Sequence, residues 1–191
     1  MKKTYIIHGW DGSPEEPLHQ WLKKSLEQAG YQVKIPAMPN PEEPVIKEWL
    51  DKIQSIFEYD PEAVFIGHSI GCQAVLRFLE SLPEGQKING VVLIAPWMEL
   101  DEEIIKKEGE EVIELAKPWM ETPIDFPKVK QTATNFVAIF SDDDYYVSLD
   151  QSDFFAKELR AKIITEHAMG HFSAGDGISE LPSVVNAIKQ F

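Results

Sequence analysis

The feature that most narrows the possible folds is a regular alternation along the chain of short apolar runs and amphipathic helical stretches. Thr4-Tyr5-Ile6-Ile7 precedes Leu18, Trp21, Leu22 and Leu26 at helical spacing, and Tyr31, Val33 and Ile35 then alternate as strand residues do. Ile46, Trp49, Leu50, Ile53 and Phe57 share a second helix face, and Ala63-Val64-Phe65-Ile66 is apolar without a break. Apolar runs at 91–95, 136–140 and 163–164 continue the rhythm, with helical stretches at about 70–82, 149–160 and 180–190 between and after them. An unbroken apolar run suits a strand covered on both faces. Six such strands alternating with helices predict an α/β fold, a mainly parallel sheet flanked by helices on both sides. Ser13-Pro14-Glu15-Glu16 and Asn40-Pro41-Glu42-Glu43 read as helix starts, each with proline at the first helical position.

Residues 97–131 interrupt the rhythm. They are amphipathic and acidic, and Pro118, Pro123 and Pro127 punctuate them. With 191 residues, 43% of them hydrophobic, the chain supports one substantial core. The expectation is therefore a single domain over 1–191 in which 97–131 forms a small cap over one end of the sheet. The net charge of -14 repels nucleic acid and anionic membrane surfaces, so neither is an expected partner. The dense acidic runs, Glu99 to Glu103 and Glu108 to Glu114, suit solvated helix faces. The single cysteine, Cys72, cannot form an internal disulfide and reads as a small packed side chain. The apolar stretch after Met1 is too short for a signal peptide and no window approaches a transmembrane span, which points to the cytoplasm.

Gly67-His68-Ser69-Ile70-Gly71 follows the unbroken apolar run and opens a helical stretch. In that context G-x-S-x-G forms a tight nucleophile elbow, which lifts the serine hydroxyl above the sheet edge and aims the following N–H at a developing oxyanion. Ser69 is thus the candidate nucleophile and Ile70 a candidate oxyanion donor. A serine hydroxyl needs a base from another loop at the same sheet edge. His171, in Met169-Gly170-His171-Phe172 after the last strand, meets that requirement, whereas His8, His19, His68 and His167 suit structural places. The base needs a carboxylate partner, and one of Asp142, Asp143 and Asp144 after the fifth strand can supply it. The chain order Ser, Asp, His is that of α/β-hydrolases. A second oxyanion donor is expected in the loop His8-Gly9-Trp10-Asp11-Gly12, most plausibly the Trp10 N–H. A strand order of two, one, three, four, five, six would bring this loop beside Ser69. No residue spacing matches a zinc or calcium pattern, so no metal is expected.

These stretches, with Trp21-Leu22-Lys23-Lys24, Met38-Pro39-Asn40-Pro41, Trp49-Leu50 and Leu76-Arg77-Phe78, resemble the small serine hydrolases grouped with YdeN and retinoblastoma-binding protein nine. The resemblance spans nearly the whole chain and implies an α/β-hydrolase fold with Ser69, Asp144 and His171 as its triad. Among the three aspartates it selects Asp144, with Val147 anchoring the turn and Asp142 and Asp143 left to cap it or face solvent. Family members often carry a histidine-tryptophan pair where this chain has Pro17-Leu18, and a proline in place of Ser148.

Two functions of different classes follow. One is a serine hydrolase, foremost a carboxylesterase acting on small acyl esters through an acyl-enzyme on Ser69, with thioesters or amides as related substrates and no cofactor. His8, Gly9, Trp10, Trp97 and Phe172 are its candidate substrate-binding residues. The alternative is a protein-binding module that keeps the hydrolase fold, suggested by the partner-binding relative, although that relative's L-x-C-x-E motif is absent here. The intact set of serine, histidine and acid favours the enzyme.

Overall fold

A computed structural model describes residues 2–191, the Glu102 side chain excepted. Six strands, β1 (Lys3–Ile7), β2 (Gln32–Lys34), β3 (Val64–His68), β4 (Ile88–Ile94), β5 (Ala133–Ser141) and β6 (Lys162–Glu166), form one sheet in the order β2-β1-β3-β4-β5-β6. Every pair of neighbours is parallel, for instance Ile66 opposite Val92 and Ile139 opposite Ile164. The helices are α1 (Pro17–Gln28), α2 (Ile46–Ile56), α3 (Ile70–Glu80), α4 (Glu102–Ile105), α5 (Glu110–Glu121), α6 (Phe126–Val129), α7 (Gln151–Leu159) and α8 (Pro182–Ile188), with a 3-10 turn at Lys106–Glu108.

The side-chain period of two explains why the central strands are apolar throughout. Tyr5, Ile7, Phe65, Val91, Leu93, Ala138 and Phe140 point to one face, where α2, α3, α6 and α7 cover them through Trp49, Val75, Phe78, Val129 and Phe155. Ile6, Ile66, Val92, Ile94, Val137 and Ile139 point to the other, where Leu18, Leu22 and Leu26 of α1 and Val184, Val185 and Ile188 of α8 cover them. Each face thus acquires its own core, and the strand ends are left to carry polar loops.

Three local expectations change. Helix α1 begins at Pro17, not Pro14; Glu16 is its N-cap, and its carboxylate Oε1 accepts the Ser13 N–H at 2.8 Å, so the box hydrogen bond forms in the turn before the helix. Helix α2 begins at Ile46: its N-cap Val45 is extended (φ -107°, ψ 123°), and Pro44 disfavours helix at the residue before it, so none starts at the Asn40 turn. Pro118 lies inside α5, which runs through it.

The 97–131 segment also differs from a cap laid over one end. Its second half packs into the α2–α3 side of the sheet: Trp119, Ile124, Phe126 and Val129 belong to that core. Trp119 donates its indole N–H to the Pro44 carbonyl at 2.9 Å and meets Trp49 edge-on at 5.8 Å. Buried Arg77 of α3 donates to the carbonyls of Trp119, Thr122 and Pro123. Only the first half reaches the sheet's carboxyl edge, where Glu108 accepts a hydrogen bond from the Tyr146 hydroxyl at 2.7 Å. Among the described residues no helix is long and apolar enough to cross a membrane.

Candidate active site

Ser69 sits between the end of β3 and the start of α3 with φ 53° and ψ -123°. A non-glycine residue at positive φ costs roughly 1–3 kcal/mol and persists only where its surroundings fix it. Here the Ser69 N–H is held by the Ile94 carbonyl at 2.9 Å and the Ser69 carbonyl by the Cys72 N–H at 2.9 Å. Gly71 is required by close approach: a Cβ there would lie 2.4 Å from the Ile7 carbonyl oxygen. The helix start is therefore pressed against the end of β1. Cys72 itself is buried, donates to the Ile94 carbonyl, and has its thiol pushed well up by burial, so it stays a neutral packing group.

The Ser69 hydroxyl lies 2.8 Å from His171 Nε2, and His171 Nδ1 lies 2.8 Å and 3.1 Å from the two carboxylate oxygens of Asp144. An acidic partner at Nδ1 places the ring proton there and leaves Nε2 to accept from Ser69. The Asp144 side chain is 2% exposed and that of His171 12%. Asp144 Oδ1 also accepts the N–H groups of Tyr146 at 2.9 Å and Val147 at 3.0 Å, so the carboxylate is pinned by its own turn while Val147 is buried beneath it. Tyr146 stands edge-on to the His171 ring at 5.2 Å.

The other two aspartates do more than cap the turn or face solvent. Asp143 accepts from the Ser141 hydroxyl and from the Gly170 N–H at 2.8 Å. Asp142 accepts from the Ala168 N–H at 3.0 Å and pairs with His167 at 2.6 Å. Both therefore brace the loop that carries His171. Asp176 completes the brace by accepting the N–H groups of His171 and Ser173, each at 3.0 Å. Gly170, at φ +52°, leaves room for that carboxylate, since a Cβ would meet Asp176 Oδ1 at 2.4 Å.

The loop after β1 lies beside the elbow: a Cβ built on Gly9 would sit 3.4 Å from the Ser69 Cβ. Among the described residues neither the Trp10 nor the Ile70 backbone N–H has a hydrogen-bond acceptor; Ile70 directly follows Ser69, and Trp10 follows Gly9 in the loop beside it. Trp97 is 1% exposed and donates its indole N–H to the Ser69 hydroxyl oxygen at 3.3 Å, so it backs the nucleophile. Two of the candidate substrate-binding side chains turn inward. His8 is fully buried, with Nε2 accepting the Met38 N–H at 3.0 Å and Nδ1 donating to the Gly9 carbonyl at 2.9 Å; both nitrogens are used to shape the loop. Phe172 is fully buried in the α1–α8 core with Ile6 and Leu18. Burial holds His8 below the ordinary imidazole range, lowers His19 to about 4, and, with the neighbouring His171 and His19, lowers His68 to about 3. These rings are neutral at ordinary pH.

Beside the acid loop runs a groove of about 700 Å³ lined by Leu100, Ile104, Tyr145, Tyr146 and Leu149, with the carboxylates of Glu99, Asp101 and Asp150 at its rim. Tyr145, Tyr146, Asp143 and Asp176 carry no motif that marks them in the sequence. Their places depend on which loops meet, although the cluster of aspartates and the Asp-Tyr-Tyr string were visible signals.

Comparisons with known proteins agree with this architecture. YdeN of Bacillus subtilis (strain 168), a hydrolase by name, is 29% identical over 192 aligned residues covering 100% of this chain and 96% of its own. Its crystal structure superposes with a TM-score of 0.86, covering 100% of this chain and 98% of that one. The rat serine hydrolase RBBP9 is 26% identical, with 86% of this chain and 78% of its own covered. The esterase Est1E of Butyrivibrio proteoclasticus, solved with ferulic acid, shares the α/β-hydrolase fold at a TM-score of 0.74 and 19% identity, over 100% of this chain and 88% of its own. The serine hydrolase family model matches residues 4–190, from β1 to the last residues after α8. A match of that extent, through the elbow, the acid loop and the histidine loop alike, makes the chain a member of the serine hydrolase family.

Proposed function

We infer that the chain is a carboxylesterase for small acyl esters and that it works through an acyl-enzyme on Ser69. The observation that carries this reading is the continuous hydrogen-bond chain from Asp144 through His171 to Ser69, set on a residue held at positive φ. As Ser69 Oγ bonds to the ester carbonyl carbon, its proton passes to His171 Nε2, and Asp144 stabilises the imidazolium. The carbonyl oxygen takes the electron pair and is met by the Trp10 and Ile70 N–H groups; one such donor contributes about 2.7–4 kcal/mol in related chemistry. Collapse of the tetrahedral intermediate breaks the bond to the alcohol, which leaves with the His171 proton. Water then attacks the acyl carbon and gives a proton to the same nitrogen, and as the bond to Ser69 Oγ breaks His171 returns that proton to the serine, freeing the acid.

The groove beside Asp144 supports the substrate class. Its tyrosines and leucines suit a short acyl or aryl group, while Glu99, Asp101 and Asp150 disfavour anions. Turnover of p-nitrophenyl acetate, butyrate and decanoate, with the thioester and anilide of the butyryl group in parallel, tests it. Short neutral esters should be the best substrates, and an anionic hemisuccinate ester should be slower than a neutral ester of equal size, the gap closing with salt. Cleavage of the thioester or anilide without turnover of any ester would overturn the ester assignment.

A further inference from the structure

Behind the nucleophile, the start of α1 meets the elbow, and three side chains that ligate metals converge. Glu16, His19 and His68 each place a ligating atom within 4.8 Å of those of the other two. His19 is fully buried and His68 is 4% exposed. Hydrogen bonds fix the tautomer of both rings. His68 Nε2 lies 2.9 Å from the His171 carbonyl and His19 Nδ1 lies 3.1 Å from the Ser13 carbonyl. A carbonyl can only accept, so each of these nitrogens carries the proton and the other keeps its lone pair. Those other nitrogens, His68 Nδ1 and His19 Nε2, are buried and have no hydrogen-bond partner. Glu16 Oε1 accepts the Ser13 N–H at 2.8 Å, and its Oε2 lies 3.7 Å from His19 Nδ1, too far for a hydrogen bond.

Two buried imidazole lone pairs with no hydrogen-bond donor and a nearby carboxylate therefore gather in one place. A single water has two protons for three acceptors, whereas one cation serves all three. We propose that Glu16, His19 and His68 form a site for one divalent cation of the zinc type, which ties the loop before α1 to the nucleophile elbow. The two nitrogen ligands favour zinc over calcium or magnesium. Each ring also donates its remaining N–H to a backbone carbonyl, the outer-shell arrangement that orients histidine on metals. Glu16 and His19 lie three residues apart at the helix start and so face the same way. Tetrahedral zinc with bonds of about 2.0–2.1 Å sets its ligand atoms about 3.3 Å apart, so binding would draw in the half-buried Glu16 side chain and close the three ligands on the ion. His8, with both nitrogens engaged, is not a ligand, and water completes the fourth position. Because His68 also holds the His171 carbonyl, the ion would brace the histidine loop from behind; the sequence reading missed it because His68 arrives from a different loop.

The test uses the full chain, stripped by a chelator and titrated with cobalt(II), whose visible absorption reports nitrogen-rich coordination independently of hydrolysis. One equivalent should bind, raise Tm, and be displaced by zinc(II). Glu16→Gln and His19→Phe, each checked by circular dichroism, should weaken binding by more than the roughly 10–100-fold typical of losing an outer-shell partner. His167→Ala, which removes the exposed His167–Asp142 pair, should leave it unchanged. If His19→Phe fails to fold, Glu16→Gln alone decides. No stoichiometric uptake by the stripped chain, or uptake unaltered by Glu16→Gln, overturns the proposal.

Discussion

The loops that carry Ser69, Asp144 and His171 and the 97–131 segment all leave the carboxyl edge of the sheet, yet different forces hold them. The loops are fixed by hydrogen bonds: the Ser69 elbow by backbone bonds to Ile94 and Cys72, and the acid and histidine loops by Asp142, Asp143, Asp144 and Asp176, which between them accept at least six backbone N–H groups. The segment is fixed mainly by burial, through Trp119, Phe126 and Val129, with Arg77 answering its exposed carbonyls. Hydrogen bonds are directional and set polar atoms to within a fraction of an ångström, which proton transfer needs. Burial is non-directional and holds a segment in place without aiming any one atom. Substitutions in the two regions should therefore separate chemistry from stability.

The largest effect should come from the acid loop. Asp144→Asn keeps the size of the side chain but leaves His171 Nδ1 with an ambiguous partner, and kcat should fall by about 10⁴-fold with little change in circular dichroism. Asp143→Asn retains an accepting oxygen for Gly170 and should lose far less, and Asp142→Asn less again. Parallel kinetics of the three variants would show a misplaced acid if Asp143→Asn were the severe one. In the segment the pattern should invert: Trp119→Ala removes a fully buried ring and its bond to Pro44 and should destabilise by about 3–5 kcal/mol in a denaturant melt, while kcat below the melt stays near that of the parent.

Trp97 lies where the two regions meet, so it sharpens the comparison. Trp97→Phe keeps most of the buried ring and deletes the N–H aimed at Ser69 Oγ; loss of one neutral hydrogen bond of about 1 kcal/mol should lower kcat/KM by no more than about tenfold. The smallest effect belongs to the exposed His167–Asp142 pair. Asp142 raises the His167 pKa above its ordinary value, so the pair's contribution is present below the unfolded histidine pKa and is lost as pH rises through the folded one. His167→Ala should thus lower Tm slightly near pH 6 and not at pH 8; an equal loss at both would show that the ring acts by packing.

Much of this contrast was legible in the residues because it follows from local rules. Val64-Phe65-Ile66 reads as a doubly covered strand since its period of two feeds both cores, and Gly67 to Gly71 reads as an elbow since the turn after such a strand has few solutions. The alternation of strands and helices predicted a parallel sheet; its order was only a condition for setting the β1 loop beside Ser69, and it is the order found. What the sequence hid depends on contacts between distant loops. His8 and Phe172 looked like site residues by adjacency to Gly9 and His171, yet their side chains turn inward. Asp176 gave no sign of holding His171 because its partners are backbone N–H groups that exist only once the loop has closed. Pro118 suggested a break, but Trp119 and Ala116 bury one side of α5 and carry the helix through it.

The account's central claim is that Ser69 is a nucleophile activated through His171, and trapping the covalent adduct tests it most directly. The protein is treated with a fluorophosphonate, its intact mass is measured, and the modified peptide is mapped for the wild type, Ser69→Ala and His171→Ala. The account predicts one adduct per wild-type chain on the peptide containing Ser69, none on Ser69→Ala, and labelling of His171→Ala slowed by several orders of magnitude although the protein remains folded. An adduct on Ser69→Ala, or equally fast labelling of the His171→Ala variant, would contradict it.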